Sequence, residues 1–334
     1  MAFIKIDREN FFHNLEQFSQ KCGSKEQVAI VLKDNAYGHG LELMAKLSAE
    51  FGLSRAVVRT LSEADRIVGY FDEIVILGDR ATVGDNYTFV LNSLDDISLA
   101  QRGSTVDLKV DTGMHRNGIM TEEIESALAL IQERGLNLRG IMSHNRSADE
   151  LSSELFWQQK CFREVKQRVE AFGLRDLRYH FFNSATALRL DSTQEAFIRL
   201  GIGAYGYSEL PDLYNILDLK PVLSLWAKRV ATRVLKKGDR VGYGATFEAP
   251  REMEISTYDL GYGDGWMRSN GYAPFITAEG LPILGRVSMD YIILESSADE
   301  VCIVANALDS ARQMGTISYE VMTQLSVNME RVVV

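Results

Sequence analysis

Cysteine is scarce: Cys22, Cys161 and Cys302 are the only three in a chain of 334 residues. Three scattered thiols supply neither a disulfide framework nor a thiolate metal cage, and they suit a reducing compartment. His13, His39, His115, His144 and His180 stand far apart, with no HxxxH or CxxC spacing, so metal catalysis finds little support. Positive charge is also short. Lys and Arg number 36 against 46 Asp and Glu, a formal net charge of −10, which leaves no basic footprint for a general nucleic-acid binder. No apolar run reaches the roughly 18 residues of a membrane span, and MAFIKIDREN lacks a basic flank leading into an apolar core, so a cytoplasmic protein is expected. With five prolines, there is no Ser/Gly-rich linker, repeat or low-complexity segment. What remains, 46% hydrophobic and 25% charged, is the composition of an ordinary globular protein. At roughly 100–200 residues per domain the length fits two domains or one large barrel.

Eight short β-rich runs occupy the first two-thirds: Val28–Lys33, Ala56–Thr60, Ile74–Gly78, Tyr87–Leu91, Asp107–Asp111, Gly140–His144, Tyr179–Asn183 and Phe197–Leu200. Helical stretches separate most of them. The clearest are Glu122–Arg134 and Glu150–Phe172, where Leu151, Leu155, Cys161, Phe162, Val165 and Val169 approximate one apolar face. Such alternation predicts an α/β fold, a (β/α)8 TIM barrel. From about Lys220 the pattern becomes β-runs without intervening helices: Leu223–Leu235, Val241–Phe247, Glu254–Leu260, Ile276–Glu295 and Glu300–Ala305, with one late helix around Tyr319–Leu325. This predicts a barrel over residues 1–220 and a mostly-β domain over 221–334.

Barrel chemistry collects at the C-terminal ends of the strands. Lys33, Lys109 with Asp111, His144, Asn183 with Ser184, and Arg199 all fall there. Taken singly, each reads as readily as a solvated or structural residue; on one rim they make a candidate site. Arg199-Leu-Gly-Ile-Gly-Ala-Tyr-Gly206 contains G-x-G-x-x-G, but too late in the chain and without the acid expected about 20 residues on, so a dinucleotide fold is rejected. After an eighth barrel strand, the same glycines suit a phosphate site. Lysine at the end of the first strand, in VLKDNAYGHG, supplies a Schiff-base amine, and pyridoxal phosphate needs both features.

At this point the chain resembles a known family, the alanine racemases. The likeness spans nearly the whole chain through LKDNAYGHG at Lys33, LKVDTGMHRNG from Lys109 to Arg116, MSH at His144, H-x-x-NS from His180 to Ser184, RLGIGAYG at Arg199, VGYGATF at Val241, GYGDGW at Tyr262 and GRVSMD at Gly285. The resemblance implies pyridoxal 5'-phosphate bound through Lys33, with Tyr37, Ser184, Gly201 and Ile202 at its phosphate and Arg199 at its ring nitrogen. His144 and Asn183 complete the cofactor surroundings. Lys33 is then the base on the D face of the substrate, and Tyr262, from the partner subunit of a homodimer, the base on the L face. Arg116 and Met289 face the substrate; Lys109, carbamylated in many relatives, and Asp290 support them; Asp149 and Arg286 match the entry passage. The implied activity is interconversion of L- and D-alanine for peptidoglycan synthesis.

The sequence departs from the family pattern where a tyrosine near the C-terminus usually binds the phosphate and narrows the entrance: Val327 stands there. RLG replaces RPG, Phe181 and Phe182 fill H-x-x-NS, Asn145 and Arg146 follow His144, and Tyr291 follows SMD. These changes keep open a broader amino-acid racemase acting on serine or larger side chains. A non-catalytic pyridoxal-phosphate carrier would lack the second domain and Tyr262. A decarboxylase of this architecture would be longer, with a cysteine-bearing C-terminal motif that is absent here.

Overall fold

The structure, a computed structural model, describes residues 1–191, 195–214, 216–268 and 273–334. They divide into two units that do not follow chain order. One holds residues 12–36 and 41–219, the other residues 1–11, 37–40 and 220–334. The first strand, β1 (Phe3–Ile6), therefore lies in the second unit, whereas a division at residue 220 assigns it to the barrel.

The larger unit is the expected barrel. Its strands are β2 (Val28–Val31), β3 (Arg55–Val58), β4 (Glu73–Ile76), β5 (Tyr87–Leu91), β6 (Thr105–Lys109), β7 (Asn137–Met142), β8 (Arg178–His180) and β9 (Ile198–Leu200). All pairings are parallel in the order β8-β7-β6-β5-β4-β3-β2-β9, and a parallel bridge between Asn183 and Arg199 brings the two outer strands together. Ile30, Val57, Ile74, Val75, Phe89, Val106, Leu108 and Ile141 are buried. Strands covered on both faces read as continuous apolar runs, and full burial of each such side chain contributes about 1.5–3 kcal/mol. Short polar signals start the helices: Thr60 and Glu63 form a reciprocal capping box, and Ser93 and Asn183 accept hydrogen bonds from Asp96 and Thr186 amides. Helix Glu154–Ala171 buries Leu155, Phe162, Val165 and Val169, but Leu151 precedes it and is exposed.

In the second unit, β10 (Leu223–Leu235) is long enough to serve two sets of partners. Residues 223–228 pair with β1 and with a later strand, and residues 229–235 pair with residues 253–258 after a bulge at Arg229/Ala231. The remaining strands are β11 (Arg240–Val241), β12 (Phe247–Glu248), β13 (Met253–Tyr258), β14 (Ile292–Leu294), β15 (Glu300–Val304) and β16 (Glu330–Val333). The main sheet runs β14-β13-β10-β1-β16, with β15 paired to β10. Three expectations fail here. The run Val241–Phe247 is not one strand: a short 3-10 turn, Tyr243–Ala245, separates β11 from β12, because Gly242 and Gly244 turn the chain at φ 71° and 73°. Of Ile276–Glu295 only β14 is a strand, because Pro282 has no N–H for a ladder and Gly280 and Gly285 turn the chain at φ 80° and 72°. Two late helices form instead of one; Ala307–Met314 is capped by Asn306 and ended by Gly315 at φ 69°. Among the described residues, no helix is long and apolar enough to cross a membrane.

Candidate active site

Lys33 follows β2 and opens an unusual turn. Asp34, Asn35, Ala36 and Tyr37 have φ values of 54°, 57°, 52° and 52°, four consecutive non-glycine residues in the left-handed region. Each costs roughly 1–2 kcal/mol, so the turn persists only because its surroundings over-determine it. The Ala36 amide donates to Leu32 O at 2.8 Å, the Asp34 amide to Glu63 Oε1 at 2.7 Å, and Asn35 Oδ1 accepts from the Leu41 amide at 3.0 Å. Lys33 Nζ is left partly exposed, 3.8 Å from Asp34 Oδ2.

On the neighbouring strand end, Ser184 Oγ accepts from the amides of Gly201 at 3.0 Å and Gly203 at 3.3 Å. Gly203 has no room for a side chain, since a Cβ there would lie 2.6 Å from the Phe18 ring. Ile202 opens the short turn that follows, and Tyr205 OH donates to Val31 O at 2.8 Å, tying this turn to the strand that carries Lys33.

Arg199 is buried and donates throughout. Nη1 reaches His180 Nδ1 and His180 O, both at 2.9 Å; Nη2 reaches Ser143 O at 2.7 Å and His144 Nδ1 at 3.3 Å. Both terminal nitrogens are thus spent on the protein, while Nε–H has no acceptor among the described residues. Burial lowers Arg199 to about 10, against the pull of Glu195 and Asp107. His144 is held well below its usual range by burial and by Arg199, Lys109, Arg116 and Lys33. Lys109 is pushed down to about 8 by burial, Arg116, Arg199 and Lys33, with Asp111 opposing, and its amine donates to Asn117 Oδ1. Arg116 is exposed and has no ion-pair partner among the described residues. One barrel end therefore gathers Lys33, Lys109, Arg116 and Arg199; Asp34, Asp111, Glu195 and Asp107 offset part of this charge, and Arg116 stands without an ion pair among the described residues. A donor set of this kind fits a cofactor with a phosphate and a phenolate, together with a substrate carboxylate.

The second unit carries the other predicted residues. Tyr262 sits in the turn Gly261–Gly265, 41% exposed, its amide donating to Ser288 O at 3.1 Å and that of Gly263 to Met289 O at 2.8 Å. A Cβ at Gly261 would fall 2.1 Å from Met289 O, so the close approach of the two segments requires glycine. Met289, Asp290 and Tyr291 are exposed beside it. Tyr37 also belongs to this unit, its ring 5.8 Å from that of Tyr319. Val327 is 68% exposed. Among the described residues no cluster of His, Cys, Asp and Glu could hold a metal ion.

Sequence reasoning passed over three acids, Asp107 and Glu73 buried and Glu195 half-buried. Asp107 lies two residues before Lys109 on one strand face; Glu73 heads β4; Glu195 accepts from the amides of Phe181 and Phe182. For Asp107 and Glu73 an acid in an otherwise apolar strand was the available signal; Glu195 lies outside the strands and had none.

Fold and charge define the class first: a (β/α)8-barrel protein with a mostly-β second unit and a cationic, anion-seeking cluster at the strand ends. Comparison makes the family specific. The alanine racemase N-terminal domain profile matches residues 6–209, and the alanine racemase C-terminal domain profile matches residues 222–333. An alanine racemase from a Nitratiruptor species is 47% identical over 335 residues, covering 99% of both chains. Among solved structures, Bacillus anthracis alanine racemase with bound L-Ala-P is 27% identical with a TM-score of 0.89, over 100% of this chain and 95% of that one. Bartonella henselae alanine racemase with covalently bound pyridoxal phosphate shares the fold at 23% identity and a TM-score of 0.84, over 100% and 99%. The chain belongs to the alanine racemase family, whose members depend on pyridoxal phosphate.

Proposed function

We propose that Lys33 and Tyr262 are the two bases with which this chain carries out the pyridoxal-phosphate-dependent interconversion of L- and D-alanine. The cationic cluster around Lys33 carries the reading. Pyridoxal phosphate, joined to Lys33, supplies the electron sink that makes the substrate Cα proton removable. Ser184 and the Gly201–Ile202 backbone hold the phosphate, and Asn183 supports Ser184 by capping its helix. Arg199 would present Nε–H to the ring nitrogen, and because a guanidinium keeps its proton it would hold that nitrogen as an acceptor without protonating it. Arg116 orients the substrate carboxylate, with Met289 and Asp290 along the pocket and Asp149 and Arg286 at its entrance.

Inversion needs removal of a proton on one face and delivery on the other. The Lys33 amine serves the D face and the Tyr262 phenol the L face. His144, neutral and accepting from Arg199 at Nδ1, keeps Nε2–H to stabilise the phenolate of Tyr262. An exposed tyrosine on a rigid turn suits donation to a neighbouring subunit, so the assembly is a homodimer with two shared sites. Lys109, with a depressed amine next to Arg116, is a site for carbamylation, which would turn a repelling cation into a bracing anion; an NMR signal from labelled bicarbonate that vanishes in Lys109→Arg checks it. The protein acts in the cytoplasm, and its D-alanine feeds peptidoglycan.

Lys33→Ala removes the cofactor's lysine-bound visible absorbance and its sensitivity to borohydride. Retention of that absorbance would overturn the assignment. Dilution to a species shown to be monomeric should abolish turnover; full specific activity in the monomer would sink the shared-site arrangement.

A further inference from the structure

Barrel interiors are ordinarily filled by layers of branched aliphatic side chains. Here one layer is ionic. Period-two alternation puts Asp107 on the same inward face of β6 as Lys109, and Arg178 on the same face of β8 as His180. Arg178 Nη2 donates to Asp107 Oδ2 at 2.6 Å and Nε to Oδ1 at 3.2 Å, while Nη1 donates to Glu73 Oε1 at 2.5 Å. Glu73 is held in turn by Arg55 Nε at 2.7 Å and Thr88 Oγ1 at 2.9 Å. His180 Nε2 meets Asp107 Oδ2 at 3.0 Å. The layer is built around an empty position: a Cβ at Gly140 would lie 2.4 Å from Arg178 Cγ and 2.8 Å from Asp107 Oδ1.

The direction of these bonds is fixed by chemistry. Arg199 has no acceptor, so His180 Nδ1 must offer it a lone pair. Burial, with Arg199 and Arg178 adding to it, lowers His180 to about 4 despite Asp107. The ring is therefore neutral, and its single proton belongs on Nε2, facing Asp107. Burial would raise the Asp107 carboxyl, but His180 and Arg178 outweigh it and hold it at about 2, so it is a permanent acceptor. Charges then alternate from Arg199 through neutral His180 to Asp107, Arg178, Glu73 and Arg55.

We propose that Asp107 is a positioning residue for Arg199: held by Arg178 over Gly140, it fixes His180 as the Nε2–H tautomer, whose Nδ1 fixes one arm of the Arg199 guanidinium. Its effect on turnover rests on the reading that Arg199 faces the cofactor. In Asp107→Asn, an amide oxygen in the Oδ2 place keeps both the Arg178 Nη2 bond and the His180 Nε2–H bond, and only the 3.2 Å bond from Arg178 Nε is lost to the amide NH2. Removing the acceptor altogether, in Asp107→Leu with Arg178→Met, leaves the buried His180 Nε2–H unmatched and frees the ring that holds Arg199.

The test is nitrogen-15 NMR of the full-length protein, histidine-labelled, with and without cofactor, beside steady-state kinetics. Wild type should show His180 as the Nε2–H tautomer. Asp107→Asn should keep that tautomer and most of kcat, whereas Asp107→Leu with Arg178→Met should lose the single Nε2–H signature and lower kcat by roughly 10- to 100-fold, the scale seen when a group supporting a site ligand is removed. The double variant separates positioning from packing, since apolar replacement of a buried ion pair is often neutral for stability. It should keep a Tm near wild type and remain slow. An unchanged His180 tautomer in the double variant overturns the proposal. A shifted tautomer with unchanged kcat supports the positioning and removes Arg199 from the cofactor.

Discussion

Replacing Gly261 by Ala tests how closely Tyr262 is placed. The added Cβ would stand 2.1 Å from Met289 O, 2.3 Å from its carbonyl carbon and 2.4 Å from the Asp290 amide. All three are backbone atoms, so no side chain can swing aside. Reaching even 3.0 Å requires a shift of about 1 Å between the Tyr262 turn and the segment 288–291. Overpacking of this kind costs about 1–3 kcal/mol of stability. The catalytic cost is larger, because displacing a positioned group by about 1 Å lowers rate on the order of 100-fold. Racemisation should slow by about that factor in both directions, since each turnover uses both bases, while the cofactor's absorbance at Lys33 persists. Proton exchange in heavy water distinguishes the bases. D-alanine should still exchange its Cα hydrogen through Lys33, and L-alanine should lose most of its exchange. Near wild-type racemisation, or equal loss of both exchanges, would refute the reasoning.

Two further expectations concern other residues. Burial raises Glu195 to about 7, although the amides of Phe181 and Phe182 and the charges of Arg199 and Lys166 oppose the shift. A carboxyl raised on folding contributes stability that is complete below its unfolded value and lost as pH climbs through the folded one, so wild type should weaken between about pH 4.5 and 7 by at most a few kcal/mol from this group. Glu195→Gln should flatten that slope in denaturant titrations across the interval, and an identical slope would exclude Glu195 as its source. The missing tyrosine at Val327 should let the protein racemise serine at a measurable rate, and Val327→Tyr should lower serine turnover relative to alanine by roughly 10-fold or more. Wild-type activity confined to alanine among alanine, serine and lysine would count against this.

The barrel was legible because its strands are short, apolar and separated by helical patterns; the observed strand limits differ from the expected ones by up to three residues. Helix caps such as Thr60 with Glu63 were equally open to reading. β1 was not. Phe3–Ile6 is four residues long, and nothing local reveals partners more than 200 residues away. The Ile276–Glu295 run misled because its isoleucines, leucines and valine outweighed the warning from Gly280, Pro282 and Gly285. At the site, the lysine, arginine and glycine pattern was visible one motif at a time. Asp107 was hidden because its role depends on β8 and β9, which bring His180, Arg178 and Arg199 to it through space. The left-handed run after Lys33 had a partial signal in Asp34 and Asn35, which tolerate that conformation; Ala36 and Tyr37 give none.

The position of β1 also sets a timetable for synthesis. Its neighbours in the sheet are residues 223–226 and 330–333, with Phe3 opposite both Trp226 and Glu330. A ribosome adding roughly 5–20 residues per second delivers the barrel sequence while this early strand still has two open edges, and about ten to forty seconds pass before its first partner is made. Until then Phe3, Ile4 and Ile6 form a sticky apolar ribbon, and another nascent copy could capture it. The alternating Lys5 and the charged residues that follow, Asp7, Arg8 and Glu9, act as gatekeepers for that interval.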